Sequence, residues 1–175
     1  MSLLQRFRKE SDEHKQRLPK VLHAMEVLFI EQRCFDVDRD RDLDWEYEHM
    51  NDSVKYGRIL AKHRNLSADL AACAVALQNI GRISTGKSEG HAESGYEPAK
   101  SFLAALKCFT QHEIEQIASA VKNHSRKDHV DAPLDELSKD VDIYVRYIHG
   151  DEFKMDHEHR RLSAILLEFR KKAKA

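Results

Sequence analysis

Apolar residues recur along most of this chain at spacings of three and four, the period of a helix that buries one face. From Pro19 to Cys34, Val21, Leu22, Met25, Leu28 and Phe29 share one side, and the preceding Ser2 to Arg17 predicts a polar helix ended near Pro19. Trp45 to His63 predicts a long helix with Trp45, His49, Tyr56 and Leu60 on one line and Met50, Val54, Gly57 and Ala61 on the next. Ser67 predicts the N-cap of another helix, whose stretch from Leu70 to Leu77 is apolar all round, as in a helix surrounded by others. Gln78 and Asn79 then end that helix inside the core.

Gly81 to Gly95 is the Gly-rich stretch and predicts a loop. A helix follows around Pro98 to Lys107. Thr110-Gln-His-Glu113 is a capping box opening a helix to His124, with Ile114, Ile117 and Val121 as a stripe that His124 continues. After a loop from Ser125 to Pro133, the residues Leu134, Leu137, Val141, Val145 and Ile148 mark a further helix. Phe153 to Lys174 predicts the last, with Leu162, Ile165, Leu166 and Phe169 on one side and a basic end that suits the helix dipole. No strand run and no internal repeat is seen. The expectation is an all-α single domain over 1–175: a helical extension (1–35), a core (45–150) and a C-terminal helix (151–175).

Composition agrees: 175 residues, 41% hydrophobic and 34% charged, with only 6 Gly and 3 Pro, describe one core with few turns. With 29 Lys+Arg against 30 Asp+Glu the net charge is -1, so no global field draws the chain to nucleic acid or an anionic membrane, and neither is expected as a partner. Cys34, Cys73 and Cys108 form no CxxC, which predicts reduced thiols. The charged N-terminus lacks the apolar core of a signal peptide, and the cytoplasm is the expected compartment. Asp36 to Asp44 is rich in carboxylates but lacks the glycine and final glutamate of an EF-hand, so a solvated loop ending in an N-cap Asp44 is expected.

Three inward-facing polar positions on separate helices, His49, Gln78-Asn79 and His124, converge only if those helices pack around them, which is how a bundle builds a buried site. The segment Ala68 to Ile83 reads ADLAACAVALQNIGRI. His91 lies in GHAESGYEPAKSFL, His124 in VKNHS and Asp142 in LSKDVDIYV. In this order, from about Trp45 to Gly150, the chain resembles the HD-domain phosphohydrolase superfamily, with Gln78-Asn79 where the family has His-Asp. Helical periodicity does not choose between Asp140 and Asp142; the family-like arrangement favours Asp142.

The resemblance implies an HD-domain-like helical bundle. In that family two His and two Asp bind a divalent metal that activates a water. Here it implies a degenerate metal site at Gln78 and Asn79, with His49, His91, His124 and Asp142 as the candidate ligands for Mn, Fe, Co, Ni, Zn or Mg. Two neutral amides supply neither the imidazole nitrogen nor the compensating charge, so the preferred expectation is no tightly bound metal, no assigned catalytic residue and a pseudoenzyme. Arg82, Lys87 and Lys122, with the two later His, are candidate groups for a phosphorylated small molecule; a protein partner or a homodimer is the other expected association. The alternative is an active metal-dependent phosphohydrolase with a non-standard ligand set. A lesser alternative is a P-loop, since Gly81 to Ser88 satisfies GxxxxGK[ST] but lacks the strand context that motif requires.

Overall fold

The computed structural model describes residues 17–35 and 37–172. Its elements are α1 (Arg17–Arg33), α2 (Leu43–His63), α3 (Ala68–Leu77), α4 (Ile80–Thr85), α5 (His91–Ser94), α6 (Tyr96–Leu106), α7 (Gln111–Asn123), α8 (Pro133–Ile148) and α9 (Asp156–Lys172). The fold is all-α, with no strand among the described residues. No described helix is long and apolar enough to cross a membrane.

Helix α3 is the axis. Its residues Ala71 to Leu77 are all buried, because α1, α2, α7 and α8 pack against it from different sides. One apolar cluster joins Val21, Met25 and Phe29 of α1 to Cys73 and Leu77, Leu103 of α6, and Ile117 and Val121 of α7. A second joins Leu60, Val75, Leu137, Val141 and Val145 to Ile165 of α9. Each fully buried Leu, Ile or Val contributes about 1.5–3 kcal/mol. The alanines of α3 keep the neighbouring axes close, and at Gly57 of α2 an added Cβ would lie 2.9 Å from Val75 Cγ2.

Several boundaries differ from those the sequence predicts. Arg17 and Leu18 are already helical ahead of Pro19, so Pro19 lies within α1. The expected helix over Ser2 to Arg17 lies outside the described residues apart from Arg17. That arginine is buried, donates to Asp69 at 2.8 Å and Glu113 at 2.7 Å, and so ties α1 to α3 and α7. The N-cap of α2 is Asp42, not Asp44: the Asp42 carboxylate accepts from the Trp45 N–H at 2.7 Å, because Leu43 belongs to the core. Asp44 instead pairs with Arg33.

The stretch from Gly81 to Gly95 is not one loop. It forms α4 and α5, and only Gly86 to Gly90 remains between them. Gly81 is there for close approach: an added Cβ would lie 2.1 Å from the His91 carbonyl oxygen, so the two short helices touch backbone to backbone. The residues before Gly81 are helical, so the strand-to-helix context of a P-loop is not what this chain builds. Helix α9 begins at Asp156 rather than Phe153, and Ile148, expected on the core stripe, is 39% exposed at the end of α8.

Candidate functional site

Gln78 and Asn79 form the joint between two helices. Gln78 closes α3 in helical conformation, Asn79 steps out to φ -101° and ψ 14°, and α4 starts at the next residue. This places two adjacent amides at the centre of the packed helices, opposite the α2 positions Glu46, His49 and Ser53, which lie on one face at helical spacing. Asn79 Nδ2 donates to Glu46 Oε2 at 3.0 Å and lies 3.4 Å from His49 Nδ1. Gln78 Nε2 turns the other way and donates to Ser53 Oγ at 3.1 Å. The carbonyl oxygens of both amides are buried without a donor among the described residues.

Helix α8 completes the centre. His49 Nε2 lies 3.3 Å from Asp142 Oδ1, while Lys127 Nζ lies 2.7 Å from Asp142 Oδ2. Asp140 faces elsewhere, pairing with Arg64 at 2.7 Å and Arg161 at 2.9 Å, so Asp142 is the aspartate of this site. Burial alone would raise the Asp142 pKa, but the Lys127 ammonium, and after it His49, hold the carboxyl well below the usual carboxylate range. Burial pushes the Lys127 pKa down, and Asp142 offsets part of that. Glu46 is likewise neutralised, its carboxylate being forked by Arg82. The Trp45 ring stacks on His49 at 4.8 Å between centroids, with Arg41 at 4.3 Å and Arg82 at 5.3 Å from its own centroid.

His91 from α5 and His124 from the end of α7 meet with their Nε2 atoms 3.0 Å apart. Each Nδ1 faces a carbonyl oxygen, Ser88 O at 2.6 Å and Val121 O at 2.7 Å, and must carry the hydrogen there. The Nε2 contact is therefore a hydrogen bond only when one further proton lies between the rings. Burial and then Arg82 lower the basicity of His91; burial, then His91 and Lys127, lower that of His124 further, so this proton is weakly held. In the unfolded chain both imidazoles titrate near about 6.5 and take up protons that the folded chain resists. Stability is accordingly expected to fall as pH drops from 7 to 5, and His124→Gln to flatten that slope in urea denaturation; an unchanged slope would refute the assignment.

Above this centre lies a cavity of about 210 Å³, lined by Arg41, Arg82, His91, Ser125, Lys127 and Arg146 among others. Within its lining Arg41 and Arg146 are paired with Asp151 at 2.7 and 3.2 Å, and Arg146 also with Glu158 at 3.2 Å. A larger cleft of about 460 Å³, where α3, α7 and α8 begin, is lined largely by carbon from Leu66, Leu70 and Leu134 and holds none of these groups.

Among the described residues no three His, Cys, Asp or Glu side chains are gathered to hold a metal. The donor set gives the reason. Asp142 already carries an ammonium, Glu46 a guanidinium and Gln78 turns to Ser53, so the facing His91 and His124 Nε2 atoms have no uncompensated carboxylate to complete a set with them. The residues present do not fit a divalent ion.

Of the positions singled out in the sequence, His49 meets both Asn79 and Asp142, Gln78 bonds Ser53 one turn along α2, and His91, His124 and Arg82 line the cavity. Lys87 does not join them: it is half exposed and pairs with Asp38 at 2.8 Å. Lys122 is 42% exposed beside Glu93 and stays outside the cavity too. Sequence reasoning missed Glu46, which lies one turn before His49, and Arg146, one turn after Asp142. It also missed Arg41 and Lys127, for which the sequence carries no signal. Compared with models of known protein families, with curated proteins and with solved structures, the chain matches none.

Proposed function

We propose that this chain is a non-catalytic HD-like protein whose cavity receives a small phosphorylated molecule. The observation that carries this reading is the cavity itself, a space of about 210 Å³ that brings Arg41, Arg82 and Arg146 together with His91, His124 and Ser125 over a centre whose carboxylates are already neutralised. Arginine forks suit phosphate oxygens, and the Ser125 hydroxyl adds a neutral donor. Asp151 and Glu158 hold Arg41 and Arg146 as internal anions, and an arriving phosphate dianion replaces them there. Ligand pockets typically measure about 300–1,000 Å³, so this space suits a phosphate with a small organic group rather than an enclosed nucleotide. Hydrolysis is not expected, because Asp142 is spent on Lys127 and the amides of Gln78 and Asn79 activate no water. The free thiols of Cys34, Cys73 and Cys108 suit a reducing compartment, and the cytoplasm is the proposed location.

Calorimetric titration with orthophosphate and with small phosphate monoesters tests this. A saturable site is expected, weakened about tenfold, equivalent to roughly 1.4 kcal/mol, by Arg41→Gln or Arg146→Gln. Equal and weak responses to phosphate, sulfate and chloride would sink the proposal.

A further inference from the structure

We infer that Lys127 is the resident cation of this centre: its ammonium takes the place on Asp142 that a divalent ion would need, so the natural chain excludes metal and loss of the ammonium creates a metal site. This goes beyond the phosphate reading and does not depend on it.

The geometry is that of a coordinated cation. The ammonium has three N–H groups, and three oxygens receive them: Asp142 Oδ2 at 2.7 Å, the His124 carbonyl at 2.6 Å and the Lys139 carbonyl at 3.1 Å. The Lys127 and Asp142 side chains are 5% and 8% exposed, so water does not screen the pair, and the nearest other cation on Asp142, Arg146, is 3.8 Å away. With every proton used, Lys127 has nothing left to offer a ligand; its role is charge. A metal bound to Asp142 would sit at about 2.0–2.2 Å, closer to the carboxylate than the ammonium does, and two cations cannot share so small a space. Without the ammonium, the shell it leaves holds one anionic oxygen and two carbonyl oxygens, an oxygen set that with water suits Mn²⁺, while His49 Nε2 stays on the other carboxylate oxygen, 3.3 Å from Asp142 Oδ1.

Calorimetric titration with Mn²⁺, with melting curves alongside, on the full chain and its variants tests the inference. The natural chain is expected to show no saturable binding and no shift in melting temperature. Lys127→Ala should bind one equivalent and gain roughly 5–10 °C in saturating Mn²⁺. Lys127→Ala/Asp142→Asn lacks both charges; it should melt above Lys127→Ala without metal and bind no Mn²⁺. Natural protein binding Mn²⁺ as tightly as Lys127→Ala would overturn the inference, as would a folded Lys127→Ala with no gain. If Lys127→Ala does not fold, the double variant decides: recovered folding supports the charge role, and continued failure overturns it, because the lysine would then be needed for its carbonyl bonds. Failure of phosphate to bind in the same preparations bears on the ligand proposal alone.

Discussion

Asp142→Ala is expected to lose about 3–5 kcal/mol of folding stability, the cost of leaving a buried charge without its partner. The substitution strips the carboxylate from Lys127 and from His49 together, and the ammonium keeps only two carbonyl oxygens. A domain of this size is stable by about 5–15 kcal/mol, so the loss is a large share of the whole. Urea denaturation measures it, with an unchanged slope showing that the unfolded state is the same. The pH dependence has a definite sign. Lys127, and then His49, depress the folded pKa of Asp142 against the effect of burial, so its contribution is present above the unfolded value of about 3.9 and is lost as pH falls toward the folded one. The natural chain should therefore lose stability below about pH 4 more steeply than the variant. A loss under about 1 kcal/mol, typical of an exposed ion pair, would show that Asp142 and Lys127 are not paired in the core.

Periodicity made the long helices legible because burial on one face leaves a trace at three and four residues. The stripes of α2, α7 and most of α8 are examples. The capping box at Thr110 and the N-cap at Ser67 were equally readable, since each cap is a local contact between neighbours. The helices α4 and α5 were not, because their glycines signal a loop locally while Gly81 answers a tertiary demand, contact with the His91 carbonyl. The same division runs through the site. His49 and the amides at 78 and 79 stand out as polar residues on apolar helices, whereas Lys127 follows a helix end in the polar run Ser125-Arg-Lys-Asp128 and looks solvated. Its burial arises from α8 crossing the end of α7, a contact between residues distant in sequence. Lys87 and Lys122 err in the opposite direction: basic residues near the candidate motifs that solvent and local carboxylates satisfy.

Placing His-Asp at positions 78 and 79 is expected to be costly and not sufficient for metal binding. Asn79 Nδ2 donates to Glu46 Oε2 at 3.0 Å, so Asn79→Asp sets two carboxylates side by side with one guanidinium, that of Arg82, between them. Like charges in such a place destabilise, here by about 2–4 kcal/mol at neutral pH. Repulsion raises the pKa of the new acid, so the penalty should shrink as pH falls from 7 to 5 and a proton returns the donor that Asn79 supplied. Gln78→His adds an imidazole on the side facing Ser53 and leaves Lys127 seated on Asp142. Gln78→His/Asn79→Asp should accordingly gain little Mn²⁺ or Co²⁺ affinity in a calorimetric titration. Adding Lys127→Ala supplies the missing condition: an anionic Asp142 beside His49, a second carboxylate at 79 and no resident cation. That triple variant should bind tightly, more so as pH rises and the imidazoles lose protons. Tight binding by the Gln78→His/Asn79→Asp variant with Lys127 intact would show that the ammonium is no barrier, and an Asn79→Asp chain as stable as its parent at neutral pH would show that Asn79 and Glu46 do not meet.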